Sequence, residues 1–341
     1  MPTNDLVTIA PLAAAILVAS AIVIVDMVLP GRRLPALLTA FAGLGVVAAL
    51  TVVVGAEPAT AFGSAYRVDA MTTFLDLLFV TIGALTLLFA PDYLEPRDLP
   101  VAEFAAILVF ALSGAMLIAG SGDLLVLFLG LELMVLPGYL LAGYAKRDAL
   151  STEGAIKYFL LGSFSSAIFL FGLAYVWGLT GTTSISGVAD QLGAVAAGKA
   201  SLSAGLALGL AFMTTGVAFK IAAVPFHYWT PDAYQGSPTP VTGYLSVGPK
   251  VGAFAVIIRL FLEALAPLQA DWLPVFWVLA ALTMTLGNVV ALTQTNVKRM
   301  LAYSSIAHTG YMLVGIAAWA SGERGGLDGV LYYGAAYKIG R

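Results

Sequence analysis

The sequence predicts an all-α protein, a polytopic bundle of transmembrane helices, and two observations carry that prediction. Of its 341 residues 60% are hydrophobic and only 10% charged, against roughly 25% charged and about 45–50% apolar in soluble domains. One or two water-soluble cores could not hide so much apolar surface. Second, the apolar residues gather into runs of about twenty, the length a helix needs to cross a ~30 Å hydrocarbon core.

Ten complete runs follow one another: Leu6–Val25, Pro35–Gly55, Phe74–Ala90, Phe104–Gly120, Leu124–Tyr144, Ala155–Trp177, Leu202–Val224, Val241–Leu262, Leu273–Thr293 and Met300–Ala320. An eleventh begins near Leu327 and meets Arg341 before it could cross. The sequence is therefore expected to be a truncated reading of a longer chain, or to end in a helix that cannot span alone. The first run is a full span without a basic segment before it, and Asp5 precedes it. That reads as a retained helix rather than a cleaved signal.

Charge in the connections sets the orientation. With the N-terminus outside, the inner loops hold Arg32, Arg33, Arg97, Lys146, Arg147, Lys298 and Arg299, and the outer loops hold Arg67, Lys199 and Arg324. An outside N-terminus, facing the periplasm or its equivalent, is the expectation. Most connections are short, as between helices packed on their sequence neighbours. The Gly-, Ser- and Thr-rich stretch Gly178–Ser201 is expected to be a surface loop. Pro225–Pro240, dense in proline and aromatic residues, is expected to be a structured re-entrant or broken-helix element.

Several chemistries are closed off. The chain has no cysteine, which excludes disulfides, Cys-ligated zinc and ordinary iron–sulfur clusters. Two histidines, His227 and His308, are too few for bis-His ligation of two haems. A net charge of −3 argues against a nucleic-acid partner. Gly43-Leu44-Gly45-Val46-Val47-Ala48 imitates a dinucleotide fingerprint but lies in an apolar span with no strand before it. Gly205/Gly209 and Gly248/Gly252 read as close helix packing. No P-loop is present.

The informative residues are charges inside the runs, which are costly there and so face a bundle interior or a wet path. They are Asp76, Glu132, Lys157, Lys220, Lys250 and Arg259, with His308 beside them. Asp76, near a run's start, faces either headgroups or the interior. Arg259 is close enough to the end of its run to snorkel, and Lys157 could do the same. Glu132 and Lys250 are too deep for that, which leaves a static buried ion pair or proton movement. His308 is either a hydrogen-bonded core histidine or part of that path. Pro137, Pro225 and Pro249 stand within five residues of Glu132, Lys220 and Lys250, and a proline frees a carbonyl of the preceding turn. Burial disfavours a charged ammonium and a nearby carboxylate favours it, so carboxylate, lysines and histidine on successive helices suit proton loading and release.

The run FHYWTPDAYQGSPTPVTGYLSVGPKVGAFA from Phe226 resembles the signature of the antiporter-like membrane subunits of respiratory complex I, shared with Mrp-type antiporters and membrane hydrogenases. PTPVTGYLS followed by GPK is similar to the subunit N branch of that family. FLGLELMVLPGYLLAGY around Glu132 and NVVALTQTNVKRMLAYSSIAHTGYMLVG from Asn288 agree. The resemblance implies inverted repeats, each with a broken helix: three N-terminal helices over 1–100, a first repeat over 101–265 and an incomplete second repeat over 266–341. It implies that Glu132 pairs with Lys220 of the broken seventh helix, and that Lys157, Lys250 and His308 continue a hydrophilic axis, with His227, Asp232, Pro225 and Pro249 supporting it. Family members have about fourteen helices, with a further lysine on a helix beyond this sequence.

The function expected is a proton-translocating subunit of a NADH–quinone oxidoreductase, with NADH, FMN, iron–sulfur clusters and quinone on partner membrane and peripheral subunits and no cofactor in this chain. The alternatives are a Mrp-type cation/proton antiporter, a membrane hydrogenase subunit, or a nonfunctional truncated structural copy.

Overall fold

The computed structural model describes residues 2–197, 203–323 and 325–339. Lys199, Arg324 and Arg341, used above, lie outside them. The helices in chain order are α1 (Pro2–Thr8), α2 (Ala10–Val28), α3 (Arg33–Val54), α4 (Ala70–Leu94), α5 (Val101–Ala119), α6 (Leu124–Ala142), α7 (Ala149–Thr180), α8 (Ile185–Ala197), α9 (Ala204–Lys220), α10 (Trp229–Gly236), α11 (Thr239–Leu245), α12 (Gly248–Ile257), α13 (Gln269–Ala291), α14 (Val297–Ala320) and α15 (Gly325–Ile339). A π-helical segment, Ile258–Ala264, continues α12. Among the described residues, eight helical stretches are long and apolar enough to cross a membrane. The 17-residue α9 is shorter than these.

The fold is not purely helical. Strands β1 (Ala59–Ala61) and β2 (Tyr66–Val68) form an antiparallel hairpin with Ala59 opposite Val68. Its turn passes through Phe62, Gly63 and Ser64, all at positive φ. Gly122 donates its N–H to Ala65, and a Cβ on Gly122 would run into the Ser64 carbonyl. Only glycine admits that approach.

Two compact units make up the chain. The first comprises Met1–Thr152 with Ser237–Gly252. Its centre is α5, where Phe104, Ala105, Leu108, Val109, Ala111 and Ile118 are all fully buried. Helices α2, α3, α4 and α6 pack against it. Gly114 sets the closeness of α5 and α6, since a Cβ there would fall on the Leu133–Met134 backbone. Gly43, of the rejected nucleotide fingerprint, is likewise pressed against Val18 of α2. Asp69 caps α4 by accepting from the Thr72 N–H at 2.8 Å, and Asp123 caps α6 by accepting from Leu125. Such caps answer N–H groups that a helix start leaves open. Helix α6 runs unbroken through Pro137.

The second unit comprises Glu153–Gly236 with Ala253–Arg341. Helices α13 and α14 meet at Gly287 and Gly310, where a Cβ would press on the Ala307 and Met284 backbones. Gly209 does the same service on α9, against Tyr175 and the Gly172 carbonyl of α7. The stretch expected to be a surface loop contains α8 instead. Ile185, Val188 and Leu192 recur at helical spacing and are buried, and the helix packs on the π-helical segment. Its small and polar residues masked a one-sided apolar stripe.

Candidate functional site

The chain breaks its helical pattern where the sequence placed its proline-rich element. Helix α9 ends at Lys220, and α10 does not begin until Trp229. Between them Ala222 sits at φ 59 and Val224–Pro225 is cis. Backbone freed at such a break must find partners inside the protein. Here it finds hydroxyls. Thr309 of α14 donates to the Ile221 carbonyl at 2.9 Å, and Thr283 of α13 accepts the Val224 N–H at 2.9 Å. The Trp229 indole donates to the Phe219 carbonyl at 3.0 Å. Its ring stacks on Tyr158 at 4.2 Å and lies 5.6 Å from that of Phe219.

Lys220 occupies the last turn before the break. It is 5% exposed, and its ammonium donates to the Ser166 hydroxyl of α7 at 2.8 Å. Ser165 beside it donates to the Gly216 carbonyl. A lysine here has the open C-terminal carbonyls of α9 nearby, the helix end that favours positive charge. His227 lies within the break, buried, stacked on Tyr228 and 6.3 Å from the Tyr303 ring.

Asp232, in the first turn of α10, gathers two cations. One oxygen accepts from Lys157 of α7 at 2.7 Å and the other from Arg299 of α14 at 2.6 Å. Arg299 also donates to Gln235 at 3.1 Å, and Lys157 pairs with Glu153 one turn back on α7 at 2.6 Å. With its side chain 43% exposed, Lys157 is anchored at this ionic knot rather than deep within a span. Gly154 lies against the Asp232 backbone and admits no side chain there. His308 of α14 is half-buried and hydrogen-bonded through Nδ1 to the Tyr333 hydroxyl of α15, with Tyr311 edge-on to its ring.

The first unit carries the other sequence candidates. Glu132 lies midway along α6, with Oε1 buried and without a hydrogen-bond partner. Lys250 is buried in the first turn of α12. Its run, Val241–Leu262, is continuous in hydropathy but folds as α11, α12 and the π-helical segment, interrupted around Ser246–Val247. Pro249 therefore sits at a helix start, where its missing N–H costs little. Gly252 packs on Met134 of α6. Asp76 is buried within α4, 3% exposed, which settles its two sequence readings in favour of the interior.

One expectation is overturned outright. Arg259 does not snorkel: it is 1% exposed and ion-paired at 2.9 Å to Glu263, four residues on. The π-helical segment is covered by protein, so the end of its apolar run is not the end of a membrane path. Ser166, Thr283, Thr309 and Arg299 are partners that the sequence does not mark. Hydroxyls in apolar helices give no sequence signal, and Arg299 reads in sequence only as a loop charge. Among the described residues no group of three or more His, Asp or Glu is placed to hold a metal ion.

The chain is a helix bundle with a broken helix, a buried lysine at the break and further charges inside its apolar helices. Residues 121–339 match the family described as NADH:quinone oxidoreductase/Mrp antiporter, transmembrane, and the chain belongs to that family. A NADH-quinone oxidoreductase subunit N from Chloroflexus aggregans is 39% identical over 341 residues, covering 99% of this chain and 69% of its own. The subunit N of Trichlorobacter lovleyi is 41% identical over 82% of this chain and 56% of its own, and that of Moorella thermoacetica 44% identical over 81% and 56%. The chain thus spans little more than half the length of two of these relatives. Among solved structures, a chain of respiratory complex I from Thermus thermophilus superposes with TM-score 0.72 at 33% identity, over 90% of this chain and 64% of that one. A chain of the Mrp complex from a Dietzia species superposes with TM-score 0.80 at 22% identity, over 99% and 63%, and shares the fold.

Proposed function

We propose that the chain is a proton-translocating membrane subunit of a NADH–quinone oxidoreductase. Protons move by way of Glu132, Lys157, Lys220, Lys250 and His308, with His227, Asp232, Pro225 and Pro249 shaping the breaks. The observation that carries this reading is the buried Lys220 at the end of α9, next to a helix break that side-chain hydroxyls complete. Relatives named as subunit N, and the match to a chain of complex I, support the assignment to the oxidoreductase. In that assignment NADH, FMN, iron–sulfur clusters and quinone belong to partner subunits of the respiratory chain. This chain carries ten spans and part of an eleventh, with its N-terminus periplasmic, in a bacterial inner membrane. Its helices divide into three N-terminal helices over 1–100, a first repeat over 101–265 and part of a second over 266–341, all in one membrane domain.

The energetics are within reach of side-chain chemistry. Moving a proton against the membrane potential costs about 2.3 kcal/mol per 100 mV. That equals about 1.7 units of altered proton affinity, at about 1.36 kcal/mol per unit. A lysine that exchanges a carboxylate neighbour for an apolar one changes by that much or more. Ser166 gives the Lys220 ammonium a neutral acceptor, which holds the side chain in place.

The test is redox-driven proton pumping in vesicles holding the assembled complex, with Lys250→Ala and Glu132→Gln chains. Loss of pumping with normal assembly is the expected outcome. Pumping at the wild-type rate by both variants would overturn the reading.

A further inference from the structure

Arg299 has no part in the mechanism above, yet it holds one oxygen of Asp232 while Lys157, a proton carrier in that mechanism, holds the other. Lys157 also pairs with Glu153 at 2.6 Å. One ammonium thus faces two carboxylates, and a second cation draws on one of them. Every member of this cluster, Gln235 included, belongs to the second unit.

The cluster is fixed from both sides. Asn296 accepts the Arg299 N–H at 3.1 Å, which caps α14 and sets where the guanidinium starts. The same Nη1 that donates to Asp232 at 2.6 Å donates to Gln235, one turn along α10, at 3.1 Å. On the other side Gly154 lets the α7 backbone lie against that of Asp232, and Tyr158 stacks on Trp229 with 10° between the ring planes. Asp232 is therefore held between α7 and α14, with its two oxygens committed to different helices.

Stability does not account for Arg299. Its side chain and that of Asp232 are partly exposed, and ion pairs of that kind add little. Gly154, Tyr158 and Trp229 already seat α10. What the guanidinium changes is the charge that Lys157 meets. A carboxylate close by favours an ammonium, and a like charge disfavours it. With Arg299 present, two cations share two carboxylates. Without it Lys157 alone would answer both and hold its proton harder. Arg299 itself transfers nothing, since a guanidinium does not give up its proton.

The elements packed here carry further titratable and charged groups. Helix α7 adds Tyr158, and the connection before it holds Lys146, Arg147 and Asp148. Helix α10 adds Tyr234, and the break adds His227 and Tyr228. Helix α9 brings Lys220, engaged with Ser166 more than two turns along α7 from Lys157. Helix α14 adds Lys298, Tyr303, His308 and Tyr311. Of the helices packed on it, α13 carries Asp271 in its first turn, and α15 carries Asp328, Tyr332 and Tyr333.

We infer that Arg299 is a positioning residue of the proton path: by holding one oxygen of Asp232 it limits how firmly the other oxygen, together with Glu153, holds Lys157. The inference rests on the proton-translocating reading and deepens it.

The test is the pH profile of redox-driven pumping in vesicles holding the assembled complex. Arg299→Gln should slow pumping about threefold and move the alkaline fall-off of the profile up by about half a pH unit, the size of a partly exposed pair. Glu153→Gln should move that fall-off down by about as much. Arg299→Lys keeps the charge, which guards against a folding failure, and should show the upward shift at reduced size. A merely structural clamp would not move the two Gln variants in opposite directions. A downward shift by either Arg299 variant, an upward one by Glu153→Gln, unmoved profiles in both Gln variants, or wild-type pumping by Arg299→Gln would each overturn the inference. Lys250→Ala and Glu132→Gln in the same vesicles report on the underlying reading. Pumping lost in both, with the Arg299 and Glu153 profiles unmoved, overturns the role of Arg299 alone; wild-type pumping by both overturns the translocation reading.

Discussion

The α4–α5–α6 region and the broken-helix region around α9 and α10 solve the cost of buried polarity in opposite ways. In the first, helices are continuous and glycines bring the backbones together. The carboxyls of Asp76 and Glu132 are left with an unanswered oxygen each. In the second, the backbone is opened between Lys220 and Trp229, and side chains close it: Thr283, Thr309 and Trp229 on the backbone, Ser166 on Lys220, and Asp232 on Lys157 and Arg299. Polar side chains are thus spent on the backbone where it is irregular, and glycine packing brings the backbones together where it is regular.

The comparison breaks first at its packing. Gly114→Leu should do the most harm, because the new side chain has to displace the α6 backbone; overpacking costs about 1–3 kcal/mol or more. The check is the amount of folded chain in membranes and its thermal unfolding, with Gly45→Leu as a control, since Gly45 has open space beside it.

Next in size is the break itself. Thr283→Val leaves the Val224 N–H without its acceptor, and Thr309→Val leaves the Ile221 carbonyl without its donor. Each should lower stability by about 1–2 kcal/mol, and hydrogen exchange should rise at 221–228 and not along α5. Equal change in both regions would show that the break is not held locally.

Asp232→Asn is expected to cost less than about 1 kcal/mol, because Lys157 and Arg299 are partly exposed and surface-type pairs are weak. High salt should reproduce much of that loss in the wild type and little of it in the variant, as thermal unfolding across a salt series would show. Smallest of all is the pair of Arg33 and Glu95, both largely in solvent; Glu95→Gln should leave stability unchanged within error.

Much of this was legible in the sequence because charge in an apolar run is rare and conspicuous. Glu132, Lys220 and Lys250 announced themselves that way, and proline density located the break at Pro225–Pro240. What hydropathy hides is backbone irregularity inside a continuous apolar run. Val241–Leu262 reads as one helix but folds in three pieces, and Arg259 was misjudged because the π-helical segment after it is covered by α8. Threonine and serine carry the break, yet a helical Thr that caps a neighbour's carbonyl looks the same in sequence as one that bonds its own preceding turn, as Thr51 does with Val47. The hairpin of β1 and β2 is only three residues a side, too short for any alternation to show.

The central claim is that Lys220 changes its charge while the groups around it hold the break. The most direct measurement is proton pumping by vesicles carrying Lys220→Ala, set beside Ser166→Ala and a wild-type control at equal assembly. The account predicts loss of pumping for Lys220→Ala, and for Ser166→Ala a slower rate with pumping retained. Pumping by Lys220→Ala at the wild-type rate would contradict it.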